Sequence, residues 1–261
     1  MGWFFGRGKK VVLVLGGGSA RGIAHIGVLK VLEREKIKVE RVIGTSMGAL
    51  VGAAYCVGVP IEVMEKKAYA FTLGKLLDPT MPKMGLLAGA KLEATINDII
   101  GGKGFADCTI PLSVVATDIE NNEEVVYTSG DLLKIVRASC SWPGIFNPVR
   151  IDGRLLVDGG IKNSVPTKIA KAHKFDYMIA VDVGFCVKIG AIDSIFQMML
   201  QSFQIMGHEL NAYQANEADV VINVDLGNLD QAAFGRAREA VEKGMRAAEE
   251  KVGTIKRDLW L

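Results

Sequence analysis

The chain of 261 residues is compatible with one large α/β domain or two small ones, and it can bury a large core. Hydrophobic residues make up 49% and charged residues 23%, which is typical of a globular rather than a disordered protein. A net charge of +2 without a long basic run argues against a nucleic-acid partner.

Strand-like and helix-like segments alternate along the chain. Strands are predicted over residues 11–15, 39–43, 112–117, 124–127, 177–183 and 220–224, with a hairpin over 149–157. Helices are predicted over residues 22–35, 49–57, 61–71, 91–100, 132–139 and 192–213. Residues 73–89 are expected to form a long mobile connection. The alternation predicts an α/β fold of three layers (α/β/α) with a mostly parallel central sheet.

The first ten residues lack the order of a signal peptide, and the sequence predicts no transmembrane helix. Two interpretations of this leader stay open: Trp3, Phe4 and Phe5 dock at a membrane interface, or the leader is frayed or packed. The cysteines lie far apart without a C-x-x-C pair, which indicates reduced, mostly buried thiols: Cys56, Cys108, Cys140 and Cys186. We therefore expect a cytoplasmic protein, either free or peripheral at the inner membrane face.

A G-x-S-x-G pentapeptide, Gly44-Thr45-Ser46-Met47-Gly48, joins the second predicted strand to the helix predicted over 49–57. In this setting the two glycines leave room for a strained turn, which projects the serine hydroxyl above the end of the sheet. The N-terminus of the following helix directs its partial positive charge at the same point. The pattern alone is only moderately specific, but its context makes Ser46 a candidate nucleophile.

The first predicted strand leads into a glycine-rich loop over residues 16–22, before a helix N-terminus. Such a loop can aim several N–H groups at one anion, which in a hydrolase is the oxyanion of the tetrahedral intermediate. A dinucleotide site is the rival interpretation, but the loop is spaced G-x-G-x-x-x-G rather than G-x-G-x-x-G. No Gly-Lys-Ser/Thr follows, as a P-loop would require. A turn that only packs the helix on the sheet is the third interpretation.

A third segment places a carboxylate in a turn. Asp158 ends the predicted hairpin, and Gly159 and Gly160 follow it. A carboxylate in this position, if brought near a serine hydroxyl, can take its proton as a general base. Taken alone, Asp-Gly-Gly is more often an ordinary turn.

The order of three motifs resembles the patatin-like phospholipase family: the glycine-rich loop with Arg21, then the Ser46 elbow, then Asp158-Gly-Gly. Two further runs carry the resemblance, GIAHIGVL over residues 22–29 and RASCSWPGIFNP over residues 137–148. It extends from residue 11 to about residue 224 and is closest to the small bacterial members.

The resemblance implies three parts of the chain: a leader over residues 1–10, a patatin-like hydrolase domain over 11–224, and a helical tail over 225–261. The tail is expected to pack on the domain or extend it. Its charged helix, predicted over residues 231–251, is interpreted as solvated or as a surface for self-association, and the oligomeric state stays open.

The resemblance also implies a catalytic dyad, with Ser46 as the nucleophile and Asp158 as the general base that activates it directly. Gly17 and Gly18 match glycines of the oxyanion loop, and Arg21 matches its basic residue.

Ser19 and Gly22 complete that loop. Ser19 departs from the family pattern, because many members carry a third glycine there. A positive φ at this position would strain a serine.

A triad with a histidine is the alternative mechanism. Because such a triad has the order Ser, acid, His, only His173 and His208 follow Asp158. His173 lies in a lysine-rich helix end, and His208 lies on an amphipathic stretch without a strand-end loop. His25 is interpreted as a packed or capping residue, so the dyad is favoured.

The resemblance implies a lipid ester as the substrate, such as a phospholipid or lysophospholipid. No calcium loop or metal-ligand cluster is found in the sequence, so chemistry without a metal or cofactor is expected. Apolar residues in the 73–89 connection and in the helix over 192–206 suit an acyl chain and suit core packing equally well. The alternative function is a non-catalytic lipid- or anion-binding regulatory protein on the same fold, which Ser19 favours.

Overall fold

The computed structural model describes residues 9–81, 84–184, 192 and 194–261, and a sheet of eight strands forms the centre of this part. The strands of this sheet are β1 (Val11–Leu15), β2 (Arg41–Thr45), β4 (Leu112–Asp118), β5 (Glu123–Tyr127), β7 (Val149–Ile151), β8 (Arg154–Asp158), β9 (Tyr177–Asp182) and β10 (Val220–Asn223). Two shorter strands, β3 (Gly85–Leu87) and β6 (Gly144–Phe146), pair with each other.

The strand order is β10-β9-β1-β2-β4-β8-β7, and β5 also pairs with β4. Strands β10, β9, β1, β2 and β4 run parallel to one another. Strands β5, β7 and β8 are antiparallel to their neighbours. The mostly parallel sheet predicted from the alternation of elements is confirmed.

Helices cover both faces of the sheet. They are α1 (Ala24–Arg34), α2 (Met47–Cys56), α3 (Ile61–Tyr69), α4 (Ala90–Ile100), α5 (Leu132–Ser139), α6 (Gly160–Asn163), α7 (Thr167–Ala172), α8 (Ile195–Ala215) and α9 (Ala237–Leu259). Short 3₁₀ turns occupy Ser19–Ile23, Leu73–Leu76, Phe105–Asp107 and Phe234–Arg236.

The burial of β1 shows that helices pack on both faces of the sheet. All five of its residues are buried, and successive side chains point to opposite faces of the sheet. Leu13 and Leu15 pack in the larger core with side chains of α1, α2 and α9, whereas Val12 and Val14 pack with side chains of α7. Burial on both faces is why this strand is a continuous apolar run, and the three-layer α/β/α fold is confirmed.

Helix α9 packs closely on α1. A Cβ on Gly27 would overlap the carbonyl oxygen of Val241, and a Cβ on Gly244 would overlap that of Ala24. The interpretation of the tail helix as solvated is therefore wrong for this face, where small and apolar residues bring the two helices together. The helix also begins later than predicted, after the 3₁₀ turn Phe234–Arg236.

Part of the predicted connection over 73–89 has regular structure. It contains the 3₁₀ turn Leu73–Leu76 and strand β3, which pairs in parallel with β6. The Arg137 guanidinium donates hydrogen bonds to the carbonyl oxygens of Ala88 (2.9 Å) and Gly89 (3.2 Å). The expectation of a long mobile connection is therefore wrong for these parts.

Other boundaries shift by a few residues. The strand predicted over 39–43 lies at Arg41–Thr45, because its pairing with β1 begins with Arg41 opposite Val12. The helix predicted over 22–35 begins as a 3₁₀ turn, and only Ala24–Arg34 is α-helical. Cys56, Cys108 and Cys140 are free thiols. Cys186 and the leader's Trp3, Phe4 and Phe5 lie outside the described residues.

Candidate active site

Ser46 lies in a strained turn between β2 and α2. Its backbone φ of 54° and ψ of −124° place a non-glycine residue in a rarely populated region, which costs about 1–3 kcal/mol. The flanking glycines allow this turn because a Cβ on Gly48 would overlap the carbonyl oxygen of Leu15. A Cβ on Gly44 would lie 2.7 Å from the Ala49 backbone nitrogen. The strand-to-helix turn thus has the geometry expected of a nucleophile elbow.

Asp158 lies at the end of β8 and directly contacts the serine. The Ser46 hydroxyl donates a hydrogen bond of 2.6 Å to Asp158 Oδ2. The other carboxylate oxygen, Oδ1, accepts a 2.8 Å hydrogen bond from the Gly160 N–H. A Cβ on Gly159 would lie 2.5 Å from the Val115 carbonyl oxygen, so glycine allows β8 to approach β4 closely at this point. The fold therefore brings together the serine and the aspartate that the resemblance paired.

Burial changes the acidity of Asp158. Desolvation raises its pKa to about 7, although the hydrogen bonds from Ser46 and Gly160 act in the opposite direction. The side chain is 1% exposed, so it cannot lower the cost of ionisation by contact with bulk water. Its proton affinity therefore suits a group that takes and returns a proton near neutral pH.

A second serine holds the backbone of the first. The Ser139 hydroxyl accepts a 2.8 Å hydrogen bond from the Ser46 N–H and donates one of 2.6 Å to the Val115 carbonyl oxygen. Ser139 is fully buried at the end of α5. This role of Ser139 was not predicted from sequence, since the only signal was its place in the resemblance run over residues 137–148.

The glycine-rich loop lies beside Ser46, but its N–H groups differ in availability. The Gly17 N–H donates to the Ser164 carbonyl oxygen at 2.9 Å, so Gly17 cannot offer it to an oxyanion in this geometry. In the part of the chain that the structure describes, the N–H groups of Gly18 and Ser19 have no hydrogen-bond acceptor. A Cβ on Gly17 would make an ordinary contact with Ser46 Cβ at 3.5 Å but a tight one with Ser164 Oγ at 3.3 Å.

Ser19 adopts a φ of +50°. This is the left-handed region in which glycine is favoured, so the strain anticipated for a serine at this position is present. The residue lines the same cavity as Ser46.

Arg21 connects the glycine-rich loop to neighbouring segments on the side away from the cavity. Its Nε donates to the carbonyl oxygen of Val183 (2.8 Å), and its Nη1 donates to those of Leu229 (2.8 Å) and Gly227 (3.2 Å). The side chain is 5% exposed and does not line the cavity. Gly22 provides space for Met47, since a Cβ there would lie 2.5 Å from Met47 Cγ. Both residues thus shape the loop from outside the cavity.

The three histidines lie away from the Ser46–Asp158 pair. His173 and His208 are exposed, and neither lines the cavity. His25 is completely buried and lies 2.8 Å from the Gly16 carbonyl oxygen through Nε2. Desolvation lowers the pKa of His25 to about 4, so its ring is neutral and Nε2–H donates to Gly16.

Ser46 and Asp158 face a cavity of about 480 Å³ whose walls are mostly apolar. Leucines of the 3₁₀ turn and of β3 form one side, and Trp142, Ile145 and Leu200 contribute to the rest. Cavities of this size and lining are typical of sites for small apolar ligands.

Two polar atoms on the cavity wall are buried without a hydrogen-bond partner among the described residues, Ser164 Oγ and Gln231 Nε2. The Gln231 side chain also accepts a 3.1 Å hydrogen bond from Gln204. Both unpaired atoms are available to polar groups of a ligand. Neither residue was predicted to lie at the site, because nothing in its local sequence places it near Ser46.

In the described ranges, no group of three or more His, Cys, Asp or Glu side chains could hold a metal ion. Within the same residues, no helix is both long enough and apolar enough to cross a membrane.

The family model for patatin-like phospholipases matches residues 13–171, which is more than half of the chain. The chain belongs to the patatin-like phospholipase family. The matched range includes the glycine-rich loop, Ser46 and Asp158, so the resemblance inferred from these motifs is confirmed.

Curated relatives of this patatin-like chain are much longer proteins. Neuropathy target esterase sws of Drosophila melanogaster is 37% identical over 185 residues, which cover 68% of this chain and 13% of the fly protein. An uncharacterized NTE family protein of Mycobacterium bovis is 36% identical over 176 residues, 67% of this chain and 49% of the relative. The chain thus spans about half or less of the length of these relatives.

Solved structures share the fold. VipD from Legionella pneumophila superposes with a TM-score of 0.63 at 17% sequence identity, over 95% of this chain and 67% of the other. ExoU from Pseudomonas aeruginosa superposes with a TM-score of 0.51 at 14% identity, over 94% and 53% of the two chains. At such identities the comparison supports the patatin-like fold alone.

Proposed function

We propose that this protein hydrolyses acyl esters of lipids with Ser46 as the nucleophile and Asp158 as the general base. The observation that carries the proposal is the 2.6 Å hydrogen bond from the Ser46 hydroxyl to the buried Asp158 carboxylate. Membership of the patatin-like phospholipase family supports a lipid hydrolase, and one relative is named an esterase.

In the first half of the reaction, the Ser46 oxygen attacks the ester carbonyl carbon while its proton passes to Asp158 Oδ2. The ester C–O bond then breaks, and the leaving alcohol takes the proton from Asp158. Because one carboxylate accepts and returns the proton, a pKa near neutrality favours both steps.

The tetrahedral intermediate between these steps carries a negative oxygen. The N–H groups of Gly18 and Ser19 are the donors that we assign to it, since the Gly17 N–H is bound to Ser164. The N-terminus of α2 adds a favourable dipole at the same place.

In the second half, a water molecule attacks the acyl-enzyme carbonyl and passes a proton to Asp158. Ser46 then leaves as its oxygen recovers that proton, and a fatty acid is released. The Asp158 Oδ1 bond to the Gly160 N–H keeps the carboxylate in place through both halves.

The apolar cavity suits the acyl chain, and the surface around it suits a lipid aggregate. Leu73, Leu77 and Leu86 line the cavity and are also exposed, and Met84 is exposed nearby in sequence. Apolar patches of this kind mark contact sites for proteins or membranes. We therefore propose a peripheral contact with a lipid surface during turnover.

The test is fluorophosphonate labelling together with release of fatty acid from a panel of phospholipids and lysophospholipids. We expect the wild-type protein to be labelled and active, and Ser46→Ala to lose both properties. His173→Ala and His208→Ala serve as matched controls and should retain turnover. Loss of turnover in either histidine variant would overturn the dyad, and unlabelled wild-type protein without turnover would overturn catalysis itself.

The second candidate is a non-catalytic lipid- or anion-binding protein on this fold. The observation that favours it is the strained φ of +50° at Ser19, within the loop assigned to the oxyanion. In that case lipid binding would persist in Ser46→Ala, and neither labelling nor hydrolysis would occur in the wild-type protein.

A further inference from the structure

A second, larger cavity lies next to the one that contains Ser46. Its volume is about 800 Å³, and α2, α3, α4 and the segment after α3 surround it. Five side chains line both cavities: Met47, Leu50, Leu76, Leu92 and Phe234. Neither Ser46 nor Asp158 lines the larger cavity.

The walls of this second cavity differ from its rim. Apolar side chains such as Ile26, Val51, Met64 and Phe71 form most of the lining. The charged residues that line it are three lysines and one aspartate: Lys67, Lys75, Lys91 and Asp98. An apolar interior with a basic rim suits a ligand with an apolar chain and one anionic end.

The rim has more lysines than carboxylates, so among the described residues only one of its three lysines is paired with a rim carboxylate. Lys67 forms an ion pair of 2.7 Å with Asp98, which links α3 to α4. Lys75 donates to the Ala70 carbonyl oxygen at 3.1 Å. The Asp78 carboxylate accepts a 2.9 Å hydrogen bond from the Lys91 backbone N–H, but within the described part of the chain no carboxylate forms an ion pair with Nζ of Lys75 or Lys91. These two lysines are therefore available to an external anion.

We propose that this cavity binds one free long-chain fatty acid, with its chain among the apolar walls and its carboxylate at Lys75 and Lys91. The volume of about 800 Å³ falls in the range of ligand cavities, about 300–1,000 Å³. A free fatty acid is also what the proposed reaction releases in the adjoining cavity. The site nevertheless stands on its own geometry and does not require Ser46 to react.

Lysine dependence distinguishes this site from the neighbouring cavity. The charged residues lining the cavity of Ser46 are Asp158 and Asp230, and its described lining contains no lysine. Binding of a carboxylate that depends on Lys75 and Lys91 therefore reports on the second cavity alone.

The first experiment uses Ser46→Ala protein and measures displacement of a fluorescent fatty acid by palmitate. The double variant Lys75→Glu with Lys91→Glu should weaken palmitate binding about ten-fold or more, because each change places a negative charge near the carboxylate. The matched control, Lys38→Glu with Lys66→Glu, makes the same change in net charge at exposed lysines outside the cavity and should bind normally. Equal palmitate affinity in both double variants would overturn the proposal.

The second experiment fills the cavity without altering charge. Ala68→Phe with Ala94→Phe places two rings in the lining and should abolish the lysine-dependent binding, whereas Ala106→Phe at an exposed position should not. Hexadecanol, which has the chain without the carboxylate, should bind equally to the protein with and without the two glutamates. If the filled variant keeps the lysine-dependent binding, or if hexadecanol loses as much affinity as palmitate, the assigned site is wrong. Hydrolysis by protein with an intact Ser46 is measured separately, so either proposal can fail alone.

Discussion

The two sides of the Ser46 site differ in how completely their polar groups are paired. On the nucleophile side, Ser46, Asp158 and Ser139 are all buried, and each forms a short hydrogen bond within the protein. On the loop side, the N–H groups of Gly18 and Ser19 have no acceptor among the described residues. The polar groups of the nucleophile side are thus held in place by internal hydrogen bonds, whereas, in the part of the chain described, the two free N–H groups of the loop side can gain an acceptor only from a ligand.

This difference predicts different consequences of mutation. In the proposed mechanism, changes on the nucleophile side remove proton transfer or break a buried network, so we expect them to affect both rate and stability. In the same mechanism, changes on the loop side affect an interaction made only with the tetrahedral intermediate, so we expect them to lower the rate with less effect on the folded protein.

The largest effect is expected from Asp158→Asn. The amide keeps the size of the carboxylate and can still accept from Gly160, but it cannot take the serine proton. We expect kcat to fall by about 10³-fold or more with a small change in KM, measured by steady-state ester hydrolysis.

Asp118→Asn is the control for that variant. Asp118 is a solvent-inaccessible aspartate on β4, and its carboxylate is bonded to Asn121 and Arg154 rather than to Ser46. The Asp118→Asn variant should keep most of its activity, and an equal loss in the two variants would show that the rate falls on loss of either carboxylate rather than through proton transfer.

The next largest effect is expected from Gly18→Ala. A Cβ at this position would lie 2.5 Å from Val183 Cγ2, so the loop must shift and move its N–H groups away from the oxyanion. We expect kcat to fall about 10²-fold, as for loss of one oxyanion donor, with fluorophosphonate labelling slowed in parallel. The control is Gly253→Ala, because Gly253 lies on α9 with open space around it; this variant should have the kcat of the wild type. A wild-type kcat in Gly18→Ala would contradict the assignment of this loop to the oxyanion.

The pH dependence tests the nucleophile side directly. Because Asp158 must be ionised to accept a proton and burial raises its pKa to about 7, kcat/KM should fall about ten-fold per pH unit below that value. A pH–rate profile flat from pH 5 to 8 would contradict Asp158 as the base.

The raised pKa of Asp158 also affects stability. In the folded protein this pKa lies above its ordinary value of 3.8, so between about pH 4 and pH 7 the folded state holds a proton that the unfolded chain releases. The stability that this group contributes is complete below about pH 4. It is lost as the pH rises to about 7, with a slope of about 1.4 kcal/mol per pH unit. Thermal unfolding of Asp158→Asn should lack this component of the decline.

Ser139→Ala is expected to have a moderate effect. The change leaves the Ser46 N–H and the Val115 carbonyl oxygen without their buried partner, which costs about 1–3 kcal/mol of stability. Looser positioning of Ser46 should lower kcat about ten-fold. Ser113→Ala removes another fully buried serine, on β4, and should leave kcat unchanged. If both variants have wild-type kcat, Ser139 has no positioning role.

The smallest effect is expected from Ser19→Gly. Glycine adopts the φ of +50° without strain, so the variant should be more stable by about 1 kcal/mol in chemical denaturation. Since the N–H is retained, activity should stay within about two-fold of wild type. A large gain in activity would mean that Ser19 impairs the loop, which is the feature that favours the binding-protein alternative.

Much of the fold could be predicted from local sequence patterns, whereas the pairing of Ser46 with Asp158 was implied only by the family resemblance. Strand β1 is apolar throughout because both of its faces are buried, and such local patterns are visible without a structure. The elbow requires glycines on either side of its serine, which is also a local signal.

Long-range contacts could not be predicted in the same way. Ser139 contacts Ser46 only because α5 packs beside the end of β4, and the Gly17 N–H is occupied by a carbonyl group from the turn after Asp158. The tail was expected to pack on the domain or extend it, but the charge-rich sequence of α9 does not show which face is buried, and only its packing on α1 identifies that face. In each case the contacting residue is distant in sequence, so the local sequence pattern does not predict the contact.

Hydrogen bonds from Arg21 connect the glycine-rich loop to a distant part of the chain. Its guanidinium binds carbonyl groups at Gly227 and Leu229, and the neighbouring Ala20 N–H donates to Gln231. These acceptors lie beyond residue 171, where the family match ends. A piece of this chain that ends at residue 171 would therefore lose these acceptors, and one that retains them extends at least to Gln231.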